Sequence, residues 1–283
     1  MKHAYLILAH NEFGLLQQLL DTLDDPRNDI YVHIDKKVKA LPVLRTHKAG
    51  LAILSHRIDI HWASLSMVDA EYALFEAASA QGPYQYYHLL SGVDLPLKSQ
   101  DYIHDFFDRH DGKEFIGFTL TGMTPELVRR TQRWHIFPRQ FSQTRNHYSA
   151  PRAACLRLQE LLGIKRNRHV AFMKGSQWVS ITERMARYFL SQRRWVRKTF
   201  THTFAPDECV MQTLAVMSPY RVNLYNTRDD ATGCMRAIGW RGDRLIDWSA
   251  ADYATLAASE ALFARKFNSK DGQFIERILK LSK

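Results

Sequence analysis

Three small groups of polar residues stand immediately after apolar, strand-like runs: His10 after Ala4–Ala9, Asp35 after Ile30–Ile34, and Ser91-Gly92-Val93-Asp94 after Tyr84–Leu90. An imidazole, two carboxylates and a hydroxyl so placed could line one crevice, because in open α/β sheets ligands collect beyond the carboxyl ends of strands where the crossover direction switches. Phosphate cradles made of glycine are excluded by spacing. Neither G-x-x-x-x-G-K-[ST] nor G-x-G-x-x-G occurs, so a P-loop nucleotidase and an ordinary dinucleotide-binding domain both lack their turn. Gly175-Ser176-Gln177-Trp178 lacks the second glycine of a nucleophile elbow, which argues against a serine hydrolase. The 13 histidines form no H-E-x-x-H, and no two aspartates have the D-x-D spacing by which nucleotide-sugar transferases hold a divalent ion on a diphosphate. No metal site is expected, and His3, His56, His104 and His202 read as surface or satisfied core residues.

The elements that must position these groups follow from periodicity. Ala4–Ala9 reads as a strand, the leucines of Glu12–Leu23 recur at helical spacing, and Ile30–Ile34 is a second strand after the Asp24–Asp29 turn. That completes a βαβ unit, which suits a parallel sheet with a right-handed crossover. Short strands are expected at Ala52–Leu54 and Ile58–Ile60, a helix at Ser66–Ala80, a strand at Tyr84–Leu90 and a helix at Asp101–Arg109. From about residue 120 to 172 the pattern weakens into a basic loop-and-helix insertion. Order resumes with Trp178–Ile181, Thr182–Gln192 and Pro206–Val216, and Ala250–Lys280 reads as largely helical.

Composition agrees with a folded α/β chain: of 283 residues, 46% are hydrophobic and 24% charged, enough to bury a core without staples. Cys155, Cys209 and Cys234 are few, odd in number and widely separated, which favours a reducing compartment. No apolar run approaches the length of a membrane span, so a cytoplasmic protein, peripheral to a membrane at most, is expected. The net charge of +10 is concentrated: Arg129 to Lys198 holds 17 Lys and Arg against Glu160 and Glu183 only, which makes the remainder of the chain acidic. Such a field attracts phosphates, anionic glycans or acidic lipids, although a solvated basic face has the same composition. Nucleic acid is not expected, since no zinc-finger, RNP-like or zipper pattern accompanies the charge.

Six blocks in order carry a resemblance. Ala4-Tyr5…His10 with Val32-His33-Ile34-Asp35, then Trp62-Ala63-Ser64-Leu65-Ser66, then Leu89–Lys98, Gly175–Trp178, Pro206-Asp207-Glu208 and Leu262–Phe267 resemble the core-2/I-branching β-1,6-N-acetylglucosaminyltransferase family, which also holds the peptide xylosyltransferases. The resemblance implies a GT-A-type, Rossmann-like α/β fold with a mostly parallel sheet flanked by helices. It would form a single domain over 1–283, with a nucleotide-binding half at about 1–110 and an acceptor-binding and catalytic half at about 111–283. It also implies inverting, metal-independent transfer of a sugar from a UDP donor, with no cofactor.

Carried over residue by residue, the resemblance makes Glu208 the catalytic base, although Pro-Asp-Glu is also an ordinary helix start. Leu8, His10 and Asp35 fall at the uridine-contacting positions. Ser91, Gly92 and Asp94 match a turn against the donor, Asp94 being equally well explained as a local turn former. Lys266 fits the diphosphate-binding lysine, and Arg244 is the expected arginine partner, with Arg236 and Arg241 as neighbours; Arg265 reads as an exposed helix-end cation. For the acceptor the resemblance supplies no match, and Arg130, Arg133, Trp134 and Trp178 are the expected contacts on chemistry alone. The expected partners are therefore a UDP-sugar, most simply UDP-GlcNAc in β-1,6 transfer with UDP-xylose as the alternative, and a glycan or lipid-linked glycan acceptor. A bacterial polysaccharide enzyme fits the absence of an anchor and of many cysteines. A non-catalytic protein that binds anionic glycans on the same fold is the competing expectation.

Overall fold

The computed structural model of the chain describes every residue except Leu120, Thr121 and Asp243. Strands β1 (His3–Ala9), β2 (Asn28–Ile34), β3 (Gly50–Ile53) and β4 (Tyr86–Ser91) are mutually parallel, with helix α1 (Phe13–Leu23) linking the first two and helix α2 (Leu65–Ser79) leading into β4. Every residue of β1 and β4 is buried, as expected of a parallel strand covered on both faces. Alternation divides β1 cleanly: Ala4, Leu6 and Leu8 face one apolar cluster with α2, while Tyr5, Ile7 and Ala9 face another with the five buried leucines of α1.

Downstream come β5 (Leu95–Pro96), α3 (Gln100–Arg109), α4 (Pro125–Thr131), α5 (Ser149–Leu161), β6 (Ser180–Thr182), α6 (Glu183–Ser191), α7 (Arg193–Phe200), a 3₁₀ turn at Pro206–Glu208 and α8 (Val210–Met217). The chain continues through α9 (Asp230–Cys234), β7 (Arg236–Ile238), β8 (Trp240–Arg241), β9 (Arg244–Leu245), α10 (Tyr253–Ala257), β10 (Phe263–Arg265) and α11 (Gly272–Leu279). The main sheet has the order β3-β2-β1-β4-β6, with β6 antiparallel, and a second sheet has the order β5-β10-β7. Helices cover both faces of the main sheet, and the architecture is the mixed α/β, GT-A-like fold with a mostly parallel sheet.

The crossover that carries the chain from β3 back across to β4 puts the topological switch between β1 and β4. In register Leu8 faces Ser91, and Ala9 faces Ile34, so the ends of β1, β2 and β4 lie on one edge. The upstream and downstream parts interlock there, because β6 joins the main sheet and β10 pairs with β5.

Two expectations are corrected. Ile58–Ile60 is not a strand: the Ile58 N–H donates to the His33 imidazole and its carbonyl accepts from Lys36, which fastens the segment as an irregular lid over β2. Residues 250–280 are not largely helical either, because β10 runs through them, enclosed by β5 and β7. Two of the unassigned histidines do fill the core, His3 stacking on His104 at 4.0 Å.

Candidate active site

A cleft of about 740 Å³ opens at the carboxyl edge of the main sheet. Its base is formed by strand ends: Leu8 is the penultimate residue of β1 and His10 follows that strand, Asp35 follows β2, Ser91 ends β4 and Gly92 follows it. Gly92 approaches β1 closely: a Cβ there would sit 3.1 Å from Ala9 Cβ, tighter than ordinary contact, and its N–H donates to the Leu8 carbonyl at 2.8 Å. Asp35 is buried and held on both oxygens: Oδ1 accepts from the Lys37 N–H and Oδ2 from the Lys37 ammonium, both at 2.9 Å, which leaves each oxygen a further lone pair. His10 reaches solvent within the cleft, whose walls desolvate it and hold its pKa below the ordinary value against the opposing pull of Asp35.

The 3₁₀ turn brings Glu208 to the same cleft. Two chain segments clamp that turn. Gly175 donates to the Glu208 carbonyl at 2.9 Å and packs so closely on Gly117 that a Cβ would meet the Gly117 oxygen at 1.9 Å. On the other side the Ala205 N–H donates to the Ala63 carbonyl at 2.8 Å. Ala63 and Ala205 both hold left-handed backbone, φ 55° and 45°, as does Glu12 at φ 51°, and all three line the cleft. Such residues cost on the order of 1–3 kcal/mol each and persist where surrounding bonds over-determine them. The Glu208 side chain is 39% exposed and its Oε2 accepts from Arg130 Nη2 at 2.6 Å. Among the described residues Oε1 has no protein partner. Burial opposes the charge on Arg130, but Glu208 and its neighbours outweigh it and raise the guanidinium pKa.

Beside Glu208 stand two further acids, Asp207 on the cleft wall and Glu71 buried away from it. Burial, with Glu208 adding to it, pushes Asp207 up to about 7, and its Oδ1 is enclosed without a partner among the described residues. Burial and then Asp207 raise Glu71 well above the carboxylate range, and Gln177 donates to it at 2.7 Å.

The last wall comes from β10 and the residues just after it: Arg265, Lys266 and Lys270 line the cleft. Their backbone is fixed by three bonds, Gly239 to the Arg265 carbonyl, Trp248 to the Lys266 carbonyl, and Phe267 to the Val93 carbonyl, at 3.0, 2.9 and 2.9 Å. The Arg265 guanidinium lies 4.1 Å over the Trp178 ring and pairs with buried Asp94 at 3.2 Å, while the Lys266 ammonium meets Asp247 at 3.3 Å. One cleft therefore holds a carboxylate on a fixed turn and a group of fixed cations, the parts needed to take a proton and to receive a developing anion. A smaller cavity of about 370 Å³ continues past Glu208 and Arg130 and is lined also by Glu126, Arg129, His135, Leu156, Lys174 and Phe204.

Residues 3–271 match the family described as Core-2/I-Branching enzyme. The chain belongs to that family. No curated protein sequence gives a match. The core-2/I-branching family is one of glycosyltransferases, so this chain's chemistry is transfer of a sugar from a donor to a glycan acceptor.

For a core-2/I-branching enzyme the cleft gathers most of the residues singled out from sequence: Leu8, His10, Asp35, Ser91, Gly92, Arg130, Trp178, Glu208 and Lys266 all line it. Arg244, Asp94, Arg133 and Trp134 do not line it. Arg244 is exposed on the β8–β9 hairpin and does not line the cleft. Its neighbour Arg241 is likewise exposed, and Arg236 is a core residue, bonded to the Cys234 and Val179 carbonyls and stacked 4.5 Å over Phe263; burial lowers its pKa to about 10. Of the arginines between 236 and 265, Arg265 is the one that lines the cleft, held on β10 instead of standing exposed at a helix end. Asp94 is completely buried: its carboxylate accepts from Ser91 N–H and Oγ at 2.9 and 2.7 Å and from Arg265, so it orients groups that line the cleft without lining it itself. Arg133 and Trp134 are outside the cleft, because Arg133 donates to the Ile164 carbonyl and Trp134, 45% exposed, lies under Arg166 at 4.6 Å. Sequence reasoning missed Lys37, Glu71, Lys174 and Asp247. Gln177, inside a block already singled out, was the available pointer to Glu71. Among the described residues no three His, Cys, Asp or Glu side chains converge as a metal site.

Proposed function

We propose that this enzyme is an inverting transferase that uses a UDP-sugar, with UDP-GlcNAc in β-1,6 transfer as the leading donor, and works without a metal ion. The observation that carries the reading is the presence in one strand-end cleft of Glu208 on a clamped turn together with Arg265 and Lys266 on backbone fixed by β7 and residue 248. Uridine binds at the strand ends beside Leu8, His10 and Asp35, and the acceptor comes through the smaller cavity beside Glu126, Lys174 and Glu208. Glu208 Oε1 takes the proton of the acceptor hydroxyl as that oxygen attacks the anomeric carbon. The bond from that carbon to the diphosphate oxygen breaks on the opposite face, and UDP leaves with the bonding electrons. Arg265 and Lys266 receive the charge on the departing diphosphate, with Arg265 in the role that Arg244 was expected to hold. Arg130 fixes the orientation of the base through Oε2 and leaves the other oxygen available.

The test is a panel of UDP-sugars, UDP-xylose included, with and without saturating EDTA. UDP-GlcNAc turnover that survives chelation supports the reading. Loss of turnover on chelation that Mg²⁺ or Mn²⁺ restores overturns the cation assignment, and failure to bind any UDP compound returns the chain to a glycan-binding role.

A further inference from the structure

Helix α5 has two unlike faces. Inward, Leu156 lines the cavity beside Glu208 and Gln159 is bonded to both the N–H and the carbonyl of Trp134. Outward, Leu158, Leu161 and Leu162 stand 56%, 84% and 63% exposed, and Ile164 in the following turn is exposed as well. Spacing of three and four puts the leucines on one stripe, opposite Leu156 and Gln159. Arg157, four residues before Leu161, and Arg168, whose guanidinium donates to the Gly163 carbonyl between Leu162 and Ile164, rim this stripe and are exposed; Lys165, exposed as well, lies toward Glu160 and Arg133. From residue 139 to 169 the chain holds seven Lys and Arg and a single acid, Glu160, which is already paired with Arg129 at 2.9 Å.

We propose that the outward face of α5, with the turn that follows it, docks on an anionic lipid surface. A stripe of leucines rimmed by cations matches such a surface on both counts: acyl chains take the leucines and anionic headgroups take the Arg and Lys. A second copy of this chain fits poorly, because a two-fold contact on this face would set the same cations against one another. An amphipathic helix lying in the headgroup layer is about 10 Å thick, so docking holds the cavity lined by Leu156 one helix diameter above the bilayer. That position suits an acceptor carried on a lipid. This last link alone rests on the proposed transferase reading.

The experiment is co-sedimentation of the full chain with vesicles of phosphatidylglycerol or of phosphatidylcholine, without any substrate, so that it stands whatever the enzyme transfers. Wild type should bind phosphatidylglycerol at least tenfold more tightly than phosphatidylcholine. Leu158→Ser/Leu161→Ser/Leu162→Ser and, separately, Arg157→Glu/Lys165→Glu/Arg168→Glu should each weaken binding at least tenfold without changing the unfolding temperature. A Leu161→Trp reporter should shift its emission to the blue on binding. Wild type remaining in the supernatant, leucine variants that bind like wild type, or a reporter that stays fully hydrated overturns the proposal. So does a vesicle-free dimer that the leucine substitutions dissociate, which would make the occupant a second copy.

Discussion

The two ends of the cleft are built on different principles. At the sheet edge, acids are buried and their partners are fixed by backbone: Asp35 with Lys37, and Asp94 with Ser91 and Arg265. Around Glu208 the charges sit on short elements and are shared among several side chains, Glu126 bridging Lys174 at 3.0 Å and Arg130 at 3.6 Å while Arg130 also holds Glu208. Parallel strands in register leave little freedom, so the first end is suited to a constant ligand portion. Charges that can exchange partners are suited to the portion that varies and must arrive and leave.

The sharpest way to divide the two ends is Glu208→Gln. Turnover should fall by roughly two to four orders of magnitude while UDP affinity stays near wild type, measured by initial rates and by calorimetry with UDP; equal loss of both would mean that the ends are not separate. At the sheet edge Asp94→Ala should be felt first in the fold. Removing one partner of a buried ion pair costs about 3–5 kcal/mol, so chemical denaturation should show a large loss of stability, and UDP affinity should drop because Arg265 is released. A stability change below about 1 kcal/mol would show that the pair is as dispensable as a surface one.

The acid beside Glu208 gives a pH signature. Asp207 is raised from 3.8 to about 7, so folding favours its neutral form. Below the lower value folded and unfolded chains are both protonated and nothing is lost. As pH climbs from about 4 to about 7 only the unfolded chain ionises, and stability declines. Asp207→Asn should flatten that decline, seen as denaturation curves at several pH values; Glu114, raised to about 7 by its own burial, contributes equally to both proteins and cancels. Parallel slopes in the two proteins would disprove the enclosed acid. The smallest effect belongs to Glu126→Gln, whose own side chain is 61% exposed: stability should change by less than about 1 kcal/mol, while KM for the acceptor rises more than kcat falls.

What could be read in the sequence tracks how local the determining interactions are. α1, α2 and α3 announce themselves because a buried face repeats along the helix, as the leucines of α1 do, and β1 because its whole run is apolar, buried on both faces. The strand-end residues follow from those elements directly. β10 has three residues, too few to express a period, and its strand form comes from β5 and β7, which are distant in sequence. From sequence Arg265 therefore reads as a helix-end cation, and the resemblance points to Arg244 in its place. Trp134 and Arg133 have the right chemistry for a sugar, but the loop into α5 turns them toward Arg166 and Ile164. Glu208 was legible through its Pro-Asp-Glu block, whereas its bond to Arg130 spans 78 residues and has no local trace.

The tie between Asp94 and Arg265 spans 171 positions. On the proposed mechanism the cations for the leaving group are therefore made last. Until the segment after residue 262 has been synthesised and inserted between β5 and β7, Asp94 has no guanidinium and the core packed on α1 lacks Phe263, Phe267 and Ile275, so any shortening that removes this segment should cost the fold as well as the transfer.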